Sequence, residues 1–261
     1  MIYGVPTLME YSDAEMLARF CAEQGYGFVE MNMTFPWFQA DAVSAETIRG
    51  LKKKYGIGFT IHLHDQVNPF EFSPEMRNGC LENIRFAMQL ACELDIPRIT
   101  MHLLPGTYSA VNGKKTYLYA HCKDRYLSYV RSFIDFVEDS LKGSGTVFCI
   151  ENTSGFLPFQ REAIELMLAS ARFGLTFDIG HSFKAGGTDE PLILAHSSSL
   201  RHFHIHDCSL QSNHLAFGAG GLDLVRYLRM AAQYDCSVVA EVKESGALIR
   251  SRQYLIEHDL W

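Results

Sequence analysis

Side chains that bind metals recur at the ends of short apolar stretches along this 261-residue chain. Each stretch has the length of a β-strand; in order they are IHLHD at 61–65, ITMH at 99–102, VFCIEN at 147–152, LTFDIGH at 175–181, HFHIHD at 202–207 and VVAEV at 238–242. Successive segments of this kind favour parallel strands whose carboxyl ends surround one site, which is where a (β/α)8 barrel places its chemistry. The residues therefore point first to a metal-dependent enzyme.

The candidate ligands are carboxylates at strand ends and closely spaced histidines. They are His62, His64, His102, Glu151, Asp178, His181, His202, His204, His206, His214 and Glu241. Taken singly, each has a structural explanation, such as a carboxylate that caps the next helix or a hydrogen-bonded core histidine. Their combination at matching strand ends favours a bound divalent metal, because a buried charge without a partner costs several kcal/mol.

The local geometry expected of three of these segments indicates where their side chains point. In D-I-G-H, Gly180 is expected to permit a sharp turn, so that Asp178 and His181 face the same cavity. In H-F-H-I-H-D, alternation along a strand sends all three histidines to one face, and the one nearest the barrel mouth would be the ligand. The Gly-rich loop that contains His214 precedes a helix, and it would either cradle a phosphate or serve as a flexible connection.

The elements that must position these residues alternate between strand and helix patterns. Strands are predicted at 2–5, 28–31, 58–63, 98–102, 146–151, 175–178, 202–206 and 238–241, and helices at 14–24, 45–55, 74–94, 117–142, 161–171, 191–197, 223–234 and 247–257. This order predicts a single-domain (β/α)8 TIM barrel over residues 1–261. A doubly wound open sheet is the competing fold, but it would not gather ligands from six strands around one point.

The amino-acid composition of the chain limits the kinds of partner that we expect. The formal net charge is −7, and the one compact basic cluster, Lys52 to Lys54, is typical of a solvated helix end, so nucleic acid is the less favoured partner. Seven cysteines without a C-x-x-C pair argue against a disulfide framework and a zinc ribbon. No apolar run approaches the ~18 residues of a membrane span, and the first residues do not resemble a signal peptide. We therefore expect a cytoplasmic protein without a membrane partner.

These motifs resemble the xylose isomerase-like TIM barrel superfamily, which includes sugar and sugar-phosphate isomerases and epimerases and the apurinic endonuclease family 2. The resemblance covers nearly the whole chain. The segments I-E-N-T-S-G, F-D-I-G-H-S-F-x-A-G and F-H-I-H-D followed by H-x-x-x-G-x-G are most similar to the endonuclease branch. The resemblance implies a metal-binding quartet, which in this chain consists of Glu151, Asp178, His204 and Glu241.

The endonuclease branch implies further zinc ligands. His64 and His102 match two histidines that, with the glutamate, hold another zinc, and His181 and His214 match ligands of a third. That third site also needs an aspartate two residues before the loop histidine, where this chain has Ser212. The incomplete set weakens the case for multi-zinc phosphodiester chemistry.

The epimerase branch implies a different use of the same residues. Glu151 and Glu241 would act both as ligands and as the acid/base pair that moves a proton beside a carbonyl, through a metal-stabilised enediolate. His181 would contact a substrate oxygen. Two residues near the second strand, Glu30 and Trp37, are expected to shape the substrate pocket.

The leading expectation is thus a divalent-metal-dependent isomerase or epimerase of a small sugar, polyol or sugar phosphate. Zinc or manganese is favoured as the metal, and magnesium, cobalt and iron are also compatible with carboxylate and imidazole ligands. The alternatives are a multi-zinc endonuclease-like hydrolase, a non-catalytic metal-binding barrel, and a related dehydratase or lyase. The frequency of symmetric dimers among soluble proteins suggests a homodimer.

Overall fold

The computed structural model describes residues 1–261. Its strands are β1 (Tyr3–Val5), β2 (Phe28–Asn32), β3 (Gly58–His62), β4 (Arg98–His102), β5 (Tyr108–Val111), β6 (Lys114–Tyr117), β7 (Val147–Glu151), β8 (Phe173–Asp178), β9 (Leu200–Ile205) and β10 (Ser237–Ala240). Eight of them pair in parallel and close in the order β1-β2-β3-β4-β7-β8-β9-β10, so that β10 returns to β1. The predicted (β/α)8 barrel is confirmed.

Helices cover the outside of this barrel. They are α1 (Ala14–Glu23), α2 (Ala45–Tyr55), α3 (Pro74–Leu94), α4 (Leu118–His121), α5 (Lys123–Ser140), α6 (Pro158–Leu168), α7 (Ile179–Lys184), α8 (Glu190–Ala195), α9 (Leu224–Gln233) and α10 (Ser245–Glu257), with 3-10 turns at Pro36–Phe38 and Ser197–Ser199. Side-chain caps fix several starts: the side chains of Asp13, Ser44 and Ser73 accept hydrogen bonds from the first turns of α1, α2 and α3. The buried faces join one apolar core of 66 residues, as a single domain requires.

The predicted helix at 117–142 is partly wrong. A hairpin, β5 and β6, precedes it, and the helical segment is then divided at Cys122 into α4 and α5. The hairpin turn contains Asn112 and Gly113, both with positive φ, at 50° and 74°. Asn-Gly is the preferred pair for such a turn, so a sequence signal for the hairpin existed.

Three strands end earlier than predicted. β3 ends at His62, β9 at Ile205 and β10 at Ala240. The chain beyond each of these ends turns at the mouth of the barrel, which decides which of the closely spaced histidines remains inside. None of the helices has both the length and the hydropathy required to cross a membrane.

Candidate metal centre and active site

Four side chains meet at the carboxyl end of adjacent strands. Glu151 and Asp178 are the last residues of β7 and β8, His204 lies in β9, and Glu241 directly follows β10. The pairing sets Asp178 level with His204, and the backbone N–H of Glu241 donates to Ile205 at 2.8 Å. One ligand atom from each of the four lies within 4.8 Å of the others. The structure therefore brings the predicted quartet together.

The quartet is buried yet charged. Burial raises the pKa of Glu151, but His204 and His102 outweigh it and hold this pKa well below its usual range. Burial likewise raises the pKa of Glu241, which Lys243 and His204 bring well below normal. The pKa of His204 is lowered by burial but raised well above normal by Glu151 and Glu30. The carboxylates of Glu151 and Glu241 are thus held ionised at neutral pH.

Two oxygen atoms in this cluster have no hydrogen-bond partner. They are Oδ2 of Asp178 and Oε2 of Glu241, and both are buried. A buried carboxylate oxygen without a partner is costly, and the ionised carboxylates of Glu151 and Glu241 repel each other. A divalent cation would satisfy both demands, and carboxylates with one imidazole are suitable ligands for it. The residues present therefore fit a metal.

The two oxygens of Glu151 face different groups. Oε1 lies 3.2 Å from Nδ1 of His204 and 3.5 Å from Nδ1 of His181. Oε2 lies 3.1 Å from Nε2 of His62 and 3.4 Å from Nε2 of His102. Ligands of a tetrahedral zinc are separated by about 3.3 Å, given zinc–nitrogen bonds of about 2.0–2.1 Å. The carboxylate is thus placed to bridge the quartet and a second candidate metal position.

The residue beside Glu151 in this second group is His62, where the resemblance had assigned His64. β3 ends at His62, and the imidazole of His64 lies farther out, where its Nδ1 accepts a hydrogen bond from the backbone N–H of Gln66 at 3.1 Å. The two histidines are two residues apart, so strand alternation would direct both of them to the inside of the barrel. Only His62, however, is still part of the strand. The assignment of His64 is corrected on this ground, whereas His102 lies where it was expected.

His181 and His214 both reach the quartet from the loop side. The Nδ1 atom of His181 is 3.1 Å from the carbonyl oxygen of Asn152, and that of His214 is 2.9 Å from the carbonyl oxygen of Glu241. The two rings are 6.2 Å apart. Ser212 offers no carboxylate there, and its carbonyl oxygen accepts a hydrogen bond from Ser209. The set of ligands for a third zinc remains incomplete in the structure.

The Gly-rich loop is held by Asp207. Its carboxylate accepts hydrogen bonds from the backbone N–H groups of Cys208, Gly220 and Leu222 at 2.8 to 3.0 Å. These donors are therefore occupied within the protein. The loop presents His214 beside the quartet, and its occupied donors do not support the interpretation of it as a phosphate cradle.

Gly180 also has a different role from the one predicted. It lies inside α7 and does not have a positive φ, so no sharp turn depends on it. A Cβ atom at this position would lie 1.8 Å from Cε1 of His206. The absence of a side chain lets the His206 ring pack against the helix, where its Nε2 lies 3.3 Å from Oδ1 of Asp178.

A cavity of about 310 Å³ opens beside the quartet. Asn32, Thr34, Phe35, Asp65, Glu241 and Lys243 are among its lining residues. Glu30 borders this cavity but is only 3% exposed, and its oxygens contact histidines of the barrel interior. Trp37 does not line the cavity; it packs on Phe35, with ring centroids 5.1 Å apart, and supports the wall from behind.

Sequence reasoning missed three residues at this site. Lys243 donates to Oε1 of Glu241 at 2.7 Å and is the only lysine or arginine that lines the cavity. His62 and His206 were recognised as candidate ligands but were not assigned to the site. Only the precise strand ends select them from their neighbours, whereas Lys243, two residues after Glu241, carried no signal beyond its position.

The fold agrees with comparisons to known proteins. A family model described as xylose isomerase-like TIM barrel matches residues 18–259, and the chain belongs to this family. An uncharacterized protein of Methanocaldococcus jannaschii is 25% identical over 220 residues, which cover 80% of this chain and 72% of that protein. The predicted superfamily is thus confirmed.

Two solved structures have the same fold over almost their whole length. A D-tagatose 3-epimerase-like protein has a TM-score of 0.80 and 22% identity, with 99% of this chain and 97% of that chain covered. The IolI protein with a bound zinc atom has a TM-score of 0.76 and 15% identity, with 98% and 97% covered. At these identities the likeness establishes the barrel, and the chemistry must be argued from the residues of the site.

Proposed function

We propose that this protein is a divalent-metal-dependent isomerase or epimerase of a small sugar, polyol or sugar phosphate. One observation carries the proposal: two ionised carboxylates, Glu151 and Glu241, converge with Asp178 and His204 beside a cavity that opens to solvent. The epimerase-like and zinc-bound structural relatives support the same class of reaction.

The residues present are suited to moving a proton at carbon. A metal held by the quartet would supply a Lewis acid that polarises a substrate carbonyl. Glu151 and Glu241 come from opposite ends of the four-strand segment β7 to β10. In the proposed reaction one of them takes a proton beside the carbonyl and the other returns a proton to the opposite face. Lys243 engages Oε1 of Glu241 and leaves Oε2 directed at the quartet.

His181 is placed to hold a substrate oxygen. Burial lowers its pKa, but Asp178 and Glu151 outweigh that effect and raise the pKa to about 10, so its imidazole is a hydrogen-bond donor. The cavity beside the quartet is lined by the polar side chains of Asn32, Thr34 and Asp65. A cavity of about 310 Å³ with such polar walls suits a small hydroxylated molecule.

The proposal predicts metal-dependent exchange of a carbon-bound hydrogen. Metal-free protein would be reconstituted separately with manganese and zinc and incubated in D2O with a panel of ketoses, aldoses, polyols that carry a keto group, and their phosphates. At least one member should be converted and gain deuterium at the carbon beside its carbonyl, as observed by NMR. The metal-free protein is the control. Neither conversion nor exchange of any member by the fully loaded protein would refute the proposal.

A second candidate function rests on the contacts of the other carboxylate oxygen of Glu151, Oε2. His62 and His102 at Oε2 support a two-metal hydrolase in which the metals activate water against a phosphodiester. The net charge of −7 weighs against a nucleic-acid substrate. The small carbohydrate partner and the homodimer stay predictions.

Metal counting separates the two candidates. For the epimerase we expect one tightly held ion per chain by elemental analysis, with His102→Gln leaving that number unchanged. For the hydrolase, two ions should be present, the variant should retain one, and the zinc-loaded protein should nick abasic duplex DNA. One ion per chain together with no nicking would eliminate the second candidate.

A further inference from the structure

Glu30 lies beneath the quartet, inside the barrel. It is in β2, level with Thr60 of β3, and is 3% exposed. Each of its oxygens is already engaged by an interior side chain. A substrate in the cavity would have to displace these contacts to reach it, so the geometry does not favour the predicted substrate-binding role.

His204 connects Glu30 to the quartet through its two ring nitrogens. Nδ1 lies 3.2 Å from Oε1 of Glu151 and 3.4 Å from Oε2 of Glu241, and Nε2 lies 3.0 Å from Oε1 of Glu30. A neutral imidazole carries one proton, and a ring nitrogen that binds a metal must be free of it. Coordination through Nδ1 therefore requires the proton on Nε2, a buried nitrogen that has no other hydrogen-bond partner and that lies beside Oε1 of Glu30.

The other oxygen of Glu30 is surrounded by donors as well. Oε2 lies 3.1 Å from Nε2 of His202 and accepts a hydrogen bond from the Thr60 hydroxyl at 3.2 Å. His202 in turn has its Nδ1 atom 2.6 Å from the Ser237 hydroxyl. Glu30 thus accepts hydrogen bonds through Oε2 and places its second oxygen, Oε1, beside Nε2 of His204.

We infer that Glu30 is a positioning residue that sets the tautomer of His204 and thereby the affinity of the quartet for its metal. A carboxylate behind a ligating histidine orients the ring and raises its basicity. The inference rests on the proposed metal-binding function of the quartet. It assigns to Glu30 a role in binding the metal, with no contact to the substrate.

Glu30→Gln tests this role with nearly the same side-chain size. The amide has one oxygen and one NH2 group, so an N–H donor of either His204 or His202 must face another donor. We expect metal affinity to fall about 10- to 100-fold, measured by chelator competition with zinc and manganese. The free energy of unfolding of the metal-free variant, measured in parallel, separates this effect from a loss of folding.

Thr100→Val is the matched control. It removes a different polar group that is buried in the barrel, the Thr100 hydroxyl, which hydrogen-bonds with the Thr176 hydroxyl at 3.0 Å and with no member of the quartet. Its metal affinity should equal that of the wild type. An equally large loss in this control would assign the effect to general disturbance of the interior and overturn the inference.

Histidine NMR gives a test that does not depend on a variant. In the zinc-loaded wild type, ¹⁵N spectra should place the metal on Nδ1 of His204 and the proton on Nε2. Coordination through Nε2, or equal affinity of Glu30→Gln and wild type, would refute the inference while leaving the proposed function intact. A wild type that binds neither metal would overturn both.

Discussion

Glu241→Gln should lower kcat for the best substrate of the panel by about 100- to 10,000-fold. An amide cannot accept the proton from carbon, and the substitution also removes one charge from the quartet. Deuterium exchange into substrate, followed at saturating metal, measures the chemical step directly. A variant that kept more than about a tenth of the exchange rate would show that Glu241 is not the group that moves the proton.

Lys243→Met tests the contribution of the group that orients the Glu241 carboxylate. It retains the Glu241 carboxylate but removes the ammonium group that holds Oε1 at 2.7 Å. We expect a smaller loss of kcat than for Glu241→Gln, because the carboxylate can still accept a proton although it is less firmly oriented. The reverse ranking would assign the proton transfer to the lysine and contradict the roles proposed here.

Gly180→Ala should destabilise the protein by about 1–3 kcal/mol and weaken metal binding. The new Cβ would lie 1.8 Å from Cε1 and 2.4 Å from Nε2 of His206. The ring is fully buried and cannot swing into solvent, so it must move relative to Oδ1 of Asp178. Denaturant unfolding and chelator competition measure the two effects.

A double-mutant cycle identifies the cause of this loss. In Gly180→Ala combined with His206→Ala, the ring that clashes is absent, so the added methyl group should cost less than it does in the wild type. Gly79→Ala is a control in α3, where a Cβ would meet nothing within 4 Å and should stabilise by roughly 0.5–1 kcal/mol. Strictly additive effects of Gly180→Ala and His206→Ala would rule out the contact as the cause.

The barrel and most of the quartet were readable from the sequence because apolar strand patterns end where polar ligands begin. Glu151 and Asp178 are the last residues of their strands, as their positions in V-F-C-I-E and L-T-F-D indicated. The choice of His62 over His64 was not readable, since both have the same strand parity and only the exact end of β3 separates them. Alternation gives the direction of a side chain but not its depth in the barrel.

Two other roles depend on contacts between segments distant in the sequence. Glu30 meets histidines of β9, and Gly180 meets the ring of His206, only after the strands have paired. A local pattern carries no information on such an approach. The surface hairpin is a different case: its Asn112-Gly113 signal was present, but the surrounding residues lack the apolar alternation that marks a half-buried strand.

The pairing that closes the barrel has a consequence for the order of folding. In the pairing of β1 with β10, Tyr3 lies opposite Val238, so this contact joins residues from nearly the two ends of the chain. Its formation costs a large loop-closure entropy. Glu241 follows β10 directly, so the quartet becomes complete only when the ring closes. Partly folded intermediates with an open ring therefore lack one ligand. A cation that needs all four would slow unfolding of the finished barrel and leave its early folding steps unchanged.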